Sequence, residues 1–201
     1  MKLLSWIILL SIQLIFLNPA CALDIKYRNE FLKDVRSDDG NIYLNRISLY
    51  KNIAPLNVEI SGFGEAQWNI KMQTWEKNTA GFEARKCLFE CFYFGESLQF
   101  ISGKLLDYMT FSPGKQSVET VTKLELILPV LEKTFKKKLS LRSFEEYSYN
   151  LEKGAAGLNE VGIEFNYDLK KYISLGFGWR HTDRIHNFDT DYCSSSFTLK
   201  F

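Results

Sequence analysis

The chain has 201 residues, and its 25 Lys and Arg stand against 24 Asp and Glu. So balanced a charge argues against a nucleic-acid partner. Past the N-terminal region no segment approaches the ~20 apolar residues of a membrane helix, yet aromatics make up 15% of the chain and glycines recur inside strand-like runs.

The N-terminus carries Lys2, then an apolar run from Leu3 to Leu17 that Asn18-Pro19 breaks. Ala20-Cys21-Ala22 follows, the small-x-small pattern of a signal-peptidase site with Ala20 and Ala22 as the small residues. Residues 1–22 are therefore expected to be a cleaved export signal, leaving 23–201 as one mature domain. An acylated Cys21 is a poor alternative, because Asn18-Pro19-Ala20 is a weak approach to a lipidation site. Without Lys2, 24 basic residues face 24 acidic ones.

Strands are expected over 24–34, 41–51, 56–74, 80–88, 92–103, 118–130, 135–149, 157–168, 172–182 and 188–201. Short turns fall at Lys51–Pro55, Leu88–Cys91, Leu131–Thr134 and Asp168–Lys171. Longer polar stretches fall at Arg36–Asn41, Trp75–Ala80, Lys104–Ser117, Asn150–Gly157 and Asp183–Asn187. Pro55, Pro113 and Pro129 keep to turns, loops and strand ends, where a missing N–H does least harm. The regular alternation is clearest late in the chain: Val161, Ile163, Phe165 and Tyr167 alternate with Gly162, Glu164 and Asn166. Ile173, Leu175, Phe177 and Trp179 do the same against Ser174, Gly176, Gly178 and Arg180.

The last strand carries Phe201, Leu199, Phe197, Ser195 and Cys193 on one face, with Lys200, Thr198, Ser196, Ser194 and Tyr192 on the other. A strand ending on a terminal aromatic, with short turns at one end and long loops at the other, resembles the small outer-membrane β-barrels of Gram-negative bacteria. The resemblance covers the whole mature chain. It implies an all-β fold: an antiparallel up-and-down transmembrane barrel of ten strands, eight or twelve being the alternatives. An even count returns Phe201 to the side where the chain begins. The resemblance also implies secretory export, an outer-membrane location, contact with outer-membrane lipid and lipopolysaccharide, and Phe197, Leu199 and Phe201 as the signal read by the barrel assembly machinery.

The face expected to point inward carries Lys26, Arg28, Glu30, Glu59, Glu65, Glu83, Arg85, Lys123, Glu125, Lys136, Arg142, Glu160, Glu164 and Arg180. Charges of both signs in a narrow barrel are tolerable when they pair or stay hydrated. A salt-bridged, mostly closed interior is the first expectation, and a narrow porin-like channel for small solutes the alternative. The outward face carries Val58, Ile60, Leu124, Leu126, Leu128, Ile163, Phe165, Leu175, Phe177, Phe197 and Leu199. Trp68, Tyr93, Tyr167, Trp179 and Tyr192 are candidates for the interfacial aromatic belt.

For chemistry there is little. Cys87 and Cys91 flank a turn, so a disulfide across it or two free thiols are both open in an oxidising compartment. Cys193 reads as a small filler. The densest polar cluster spans 180–192: Arg180, His181, Asp183, His186, Asp189 and Asp191, at the last loop. A His beside carboxylates is how a hydrolase activates water. The cluster is similar in residue type to the rim of the omptin proteases, which are also ten-stranded. It lacks their second acidic pair, and the position where outer-membrane lipid A deacylases carry Ser holds Asp183. A rim hydrolase using His181 and Asp183 is thus the third reading, behind a non-enzymatic barrel with a structural or surface-interaction role. Two histidines without ligand spacing make no metal site, and no cofactor is expected.

Overall fold

The structure, a computed structural model, describes residues 23–36, 40–71, 73–103, 115–130, 138–183 and 189–201. The expected signal segment with Ala20 and Ala22, together with Lys136 and His186, lies outside them. Ten strands follow in order: β1 (Asp24–Asp34), β2 (Ile42–Ile53), β3 (Val58–Asn69), β4 (Thr74–Phe89), β5 (Phe92–Gly103), β6 (Lys115–Pro129), β7 (Leu139–Asn150), β8 (Ala155–Lys170), β9 (Ile173–Asp183) and β10 (Thr190–Lys200). Each is antiparallel to its chain neighbours, and β10 pairs back onto β1 to close the barrel. The count is ten, which removes the eight- and twelve-strand alternatives.

Closure is completed where β1 begins and the last residue of the chain pairs with it. Ile25 N–H donates to the Phe201 carbonyl at 3.0 Å, and Phe201 N–H returns the bond to Ile25 at 2.8 Å. A closed ladder leaves no unpaired edge, the condition for an all-β form to stand in hydrocarbon.

The strands tilt. Partners followed strand by strand run Asp24 to Tyr50, Ser61, Glu83, Ser97, Val121, Ser148 and Leu158. The walk begins at the end of the barrel holding Asp24 and Phe201 and finishes near the opposite end of β8. We call these the terminal end and the loop end. Strands of 11 to 16 residues rising ~3.3 Å each at a tilt of about 45° give a wall roughly 25–37 Å tall. That matches the ~25 Å apolar band of outer-membrane barrels plus a margin standing in water.

Two reversals depart most from expectation. Trp75–Ala80 belongs to β4, so β3 ends at Asn69 and β4 begins at Thr74, with Gln73 just before it at a positive φ of 50°. Glu76 accepts hydrogen bonds from Gln67 Nε2 at 2.9 Å and Asn69 Nδ2 at 2.7 Å, so this polar hairpin continues the ladder. Likewise β7 and β8 meet through residues 151–154 alone, with Gly154 at φ 62° in the left-handed region a side chain resists. At the terminal end, β2 and β3 meet through a short helical turn, Ala54–Leu56, followed by Asn57 at φ 52°.

Side chains alternate as the period-two pattern requires. The eleven expected outward residues all face out: among them Ile163, Phe165, Leu175 and Phe177 are exposed, Phe177 at 64%. The described members of the inward list all face the lumen. Tyr93 and Tyr192 are corrections to the aromatic belt. Tyr192 is buried inside with Leu32 and Ile42, in a small apolar cluster on neighbouring β10, β1 and β2 at the loop end. Tyr93 lies under the Arg85 guanidinium, 4.1 Å from ring centroid to Cζ. Trp68, Tyr167 and Trp179 do face out.

Candidate functional site

The lumen holds the densest chemistry. Strand alternation aims one charged residue after another inward, and β8, β9, β10 and β1 bring Glu164 and Arg28 together across three strand intervals. Glu164 is 2% exposed. It accepts from Arg28 Nη2 at 2.8 Å, Arg142 Nη1 at 3.0 Å and the Ser196 hydroxyl at 2.9 Å. Arg142 continues to Glu125 through Nε at 2.7 Å. Glu125 also meets Arg85 at 2.7 Å and Lys123 at 3.8 Å. Lys123 pairs with Glu146 as well.

On the other side Arg28 meets Glu30 at 3.3 Å, and Glu30 pairs with Arg180. Arg180 donates to Glu160 at 3.1 Å, which also accepts from Thr182 at 3.2 Å. A separate group joins Arg46 to Glu83 at 2.8 Å and Glu65 at 3.9 Å. Each of these carboxylates, Glu30, Glu65, Glu83, Glu125, Glu146, Glu160 and Glu164, thus has a guanidinium or ammonium partner, which is what makes such a set tolerable away from bulk water.

Aromatic rings and glycines complete the layer. Phe144, 4% exposed, sits beneath three cations: Arg142 at 4.4 Å, Arg180 at 5.2 Å and Lys123 at 5.7 Å. Each benefits from the ring's negative face. The ring occupies the space where a Gly162 side chain would stand. At Gly176 a Cβ would press on the Ser196 hydroxyl and the Glu164 carboxylate, so the absent side chain makes room for the network. Phe63 repeats the arrangement over Gly81, with Arg46 stacked 3.8 Å above it.

The sequence reading missed Arg46 and Glu146. Arg46 lies opposite Arg28 in register, which marks it as inward. Glu146 follows Glu145 directly, and adjacent strand residues must face opposite sides.

The outer-rim cluster divides. Arg180 turns into the lumen and belongs to the network above. His181 faces outward at the loop end, stacked on Trp179 with ring centroids 6.1 Å apart. Its Nδ1 lies 3.0 Å from an Asp191 carboxylate oxygen, and Arg36 Nη2 lies 3.0 Å from the other. Arg36 also reaches the Asp189 carbonyl at 3.5 Å. The partner of His181 is therefore Asp191. Asp183 lies two residues further along β9. A His–Asp–Arg line of this kind is a set of surface ion pairs of small energetic weight. Among the described residues no three His, Cys, Asp or Glu side chains gather as a metal site.

Cys87 and Cys91 are free thiols, as is the exposed Cys193. The ladder sets Cys87 opposite Tyr93, and its thiol donates to the Phe89 carbonyl at 2.8 Å. The register therefore does not present the two cysteines to each other.

No family model matches this chain, and no curated protein does. Solved structures match its fold. The NanC porin aligns with a TM-score of 0.50 at 6% identity, over 90% of this chain and all of that one (100%). The KdgM porin aligns at 0.45 and 10% identity, over 89% and 99% of the two chains. The Acinetobacter baumannii outer membrane protein Omp33 aligns at 0.39 and 11%, over 90% and 98%.

Proposed function

We propose that this chain is a non-enzymatic outer-membrane barrel of a Gram-negative bacterium, exported through the secretory pathway, with a structural or surface-interaction role and a mostly closed interior. The observation that carries it is the pairing of the lumen. Arg28, Glu30, Glu125, Arg142, Glu164 and Arg180 are joined through shared partners across β1, β6, β7, β8 and β9. Ions held this way leave few free charges to attract a solute.

An apolar wall flanked by outward Trp68 and Trp179 fits lipid and lipopolysaccharide as surroundings. The terminal strand, with Phe197, Leu199 and Phe201 on the lipid side, is what the assembly machinery would read. The rim trio Arg36, His181 and Asp191 then stands at headgroup level with Trp179 below it.

A narrow channel is the second reading, and Lys26 favours it. This inward side chain near the terminal end has no hydrogen bond or ion pair within the described residues. A basic side chain left without a carboxylate in an otherwise ion-paired lumen is what a hydrated lower lumen would accommodate. Single-channel recording in planar bilayers separates the two readings. The closed barrel gives no current above background, whereas stepwise openings in purified wild-type protein select the channel.

A further inference from the structure

The outer wall is not apolar throughout. On β5 and β7, Glu96 and Glu145 face outward and are exposed, with Thr122 on β6 between them. The Thr122 hydroxyl donates to Glu96 at 2.8 Å. Glu145 has no hydrogen-bond or ion-pair partner among the described residues. On the nearly opposite wall, β1 and β2 present Asn29 and Asn45 side by side, flanked by Tyr27 and Tyr43. Asn29 Nδ2 donates to the Asn45 carbonyl oxygen at 2.9 Å, the Tyr27 hydroxyl at 3.1 Å and the Tyr43 hydroxyl. Tyr27 donates to the same Asn45 oxygen at 2.7 Å. That leaves the Asn45 amide N–H groups and the Tyr43 O–H as spare donors.

Both patches lie in the middle of the wall. Glu96, Glu145, Asn29 and Asn45 stand four, six, five and eight residues from the terminal ends of their strands. At ~3.3 Å per residue and about 45° of tilt they sit roughly 9–19 Å above that rim, inside the ~25 Å hydrocarbon band. Hydrocarbon offers no hydrogen-bond partners, so acceptors on one wall and donors on the other are both unsatisfied in a lone barrel.

We propose that copies of this chain associate laterally in the membrane, the β1–β2 wall of one against the β5–β7 wall of the next. The donors of Asn45 then face the carboxylates of Glu96 and Glu145 across the contact. Two different surfaces on nearly opposite walls make a head-to-tail contact, which generates rows. A symmetric contact of the acidic wall with itself would set carboxylates against carboxylates and satisfies nothing.

This rests on the membrane placement proposed above. The test uses full-length protein in outer membranes, with Cys87, Cys91 and Cys193 replaced by Ser. Ile47→Cys marks the asparagine wall and Leu124→Cys the acidic wall; both positions are exposed. With a short bis-maleimide, the double variant is expected to give a ladder of dimers, trimers and higher species, at least tenfold above either single variant. Adding Glu96→Leu and Glu145→Leu is expected to abolish the ladder. Strong dimers from a single variant, no ladder from the double variant, or a ladder that survives both leucines overturns the proposal. Heat-modifiable gel mobility of each variant reads the barrel separately. Its retention without a ladder removes the association alone, whereas its loss in the wild type removes the membrane placement itself.

Discussion

Removing the Glu164 carboxylate is the most informative perturbation of the lumen. Glu164 holds two guanidiniums and a serine hydroxyl at 2.8–3.0 Å while almost wholly buried. Breaking a buried ion pair by deleting one partner costs about 3–5 kcal/mol, because the other charge is left without compensation. Here Arg28 keeps Glu30 and Arg142 keeps Glu125, so Glu164→Ala belongs at the low end, about 3 kcal/mol. With a urea slope of about 2 kcal/mol/M, the unfolding midpoint in lipid vesicles falls by roughly 1.5 M. Arg28→Ala tested alone and with Glu164→Ala closes a cycle whose coupling is expected to exceed ~1 kcal/mol for groups in direct contact. A midpoint within ~0.3 M of wild type for Glu164→Ala, or purely additive effects, would refute the claim that this network holds the barrel together.

Other expectations follow from the same geometry. Asp191→Ala removes the rim partner of Arg36 and His181, and should leave the unfolding midpoint in the same assay indistinguishable from wild type; a fall as large as that of Glu164→Ala would contradict its placement at the rim. Gly176→Val drives a side chain into Glu164 and Ser196 and should cost about 1–3 kcal/mol, whereas Gly64→Val, on the open outer face, should be neutral within ~0.5 kcal/mol; equal effects would show that the two glycines do not differ as the faces require. Thiol titration of the urea-unfolded, unreduced mature protein should find Cys87, Cys91 and Cys193 all reactive; a single reactive thiol would reveal a Cys87–Cys91 bond. His181→Ala should leave any hydrolytic activity of purified protein unchanged, and its abolition would restore the rim-hydrolase reading.

The fold was legible because period-two alternation is imposed wherever one face meets an apolar medium and the other a polar one. β1 and β5 fall at their expected bounds, and Phe165, Phe177, Phe197 and Leu199 face outward as their spacing requires. The β3–β4 hairpin was misplaced for a physical reason. Where strands rise beyond the apolar band, both faces meet water, so the run from Trp75 to Ala80 is polar although it pairs as strand. Tyr93 and Tyr192 misled because an amphipathic ring serves a belt or a lumen equally well, and composition cannot tell under which cation a ring will lie. Arg46 was hidden because Asn45 beside it breaks the apolar face of β2. That same asparagine, with Glu96 and Glu145, is polar where alternation alone assigns a lipid-facing side chain. The pairings that make the lumen a site are contacts between distant strands, such as Arg28 with Glu164, and no local pattern encodes them.

The central claim is that this cylinder stands in a membrane with its apolar wall outward, and fractionation followed by unheated and heated gel electrophoresis tests it most directly. The account predicts protein in the outer-membrane fraction, migrating faster unheated than after boiling. Protein in the soluble fraction, with mobility unchanged by boiling, would contradict it.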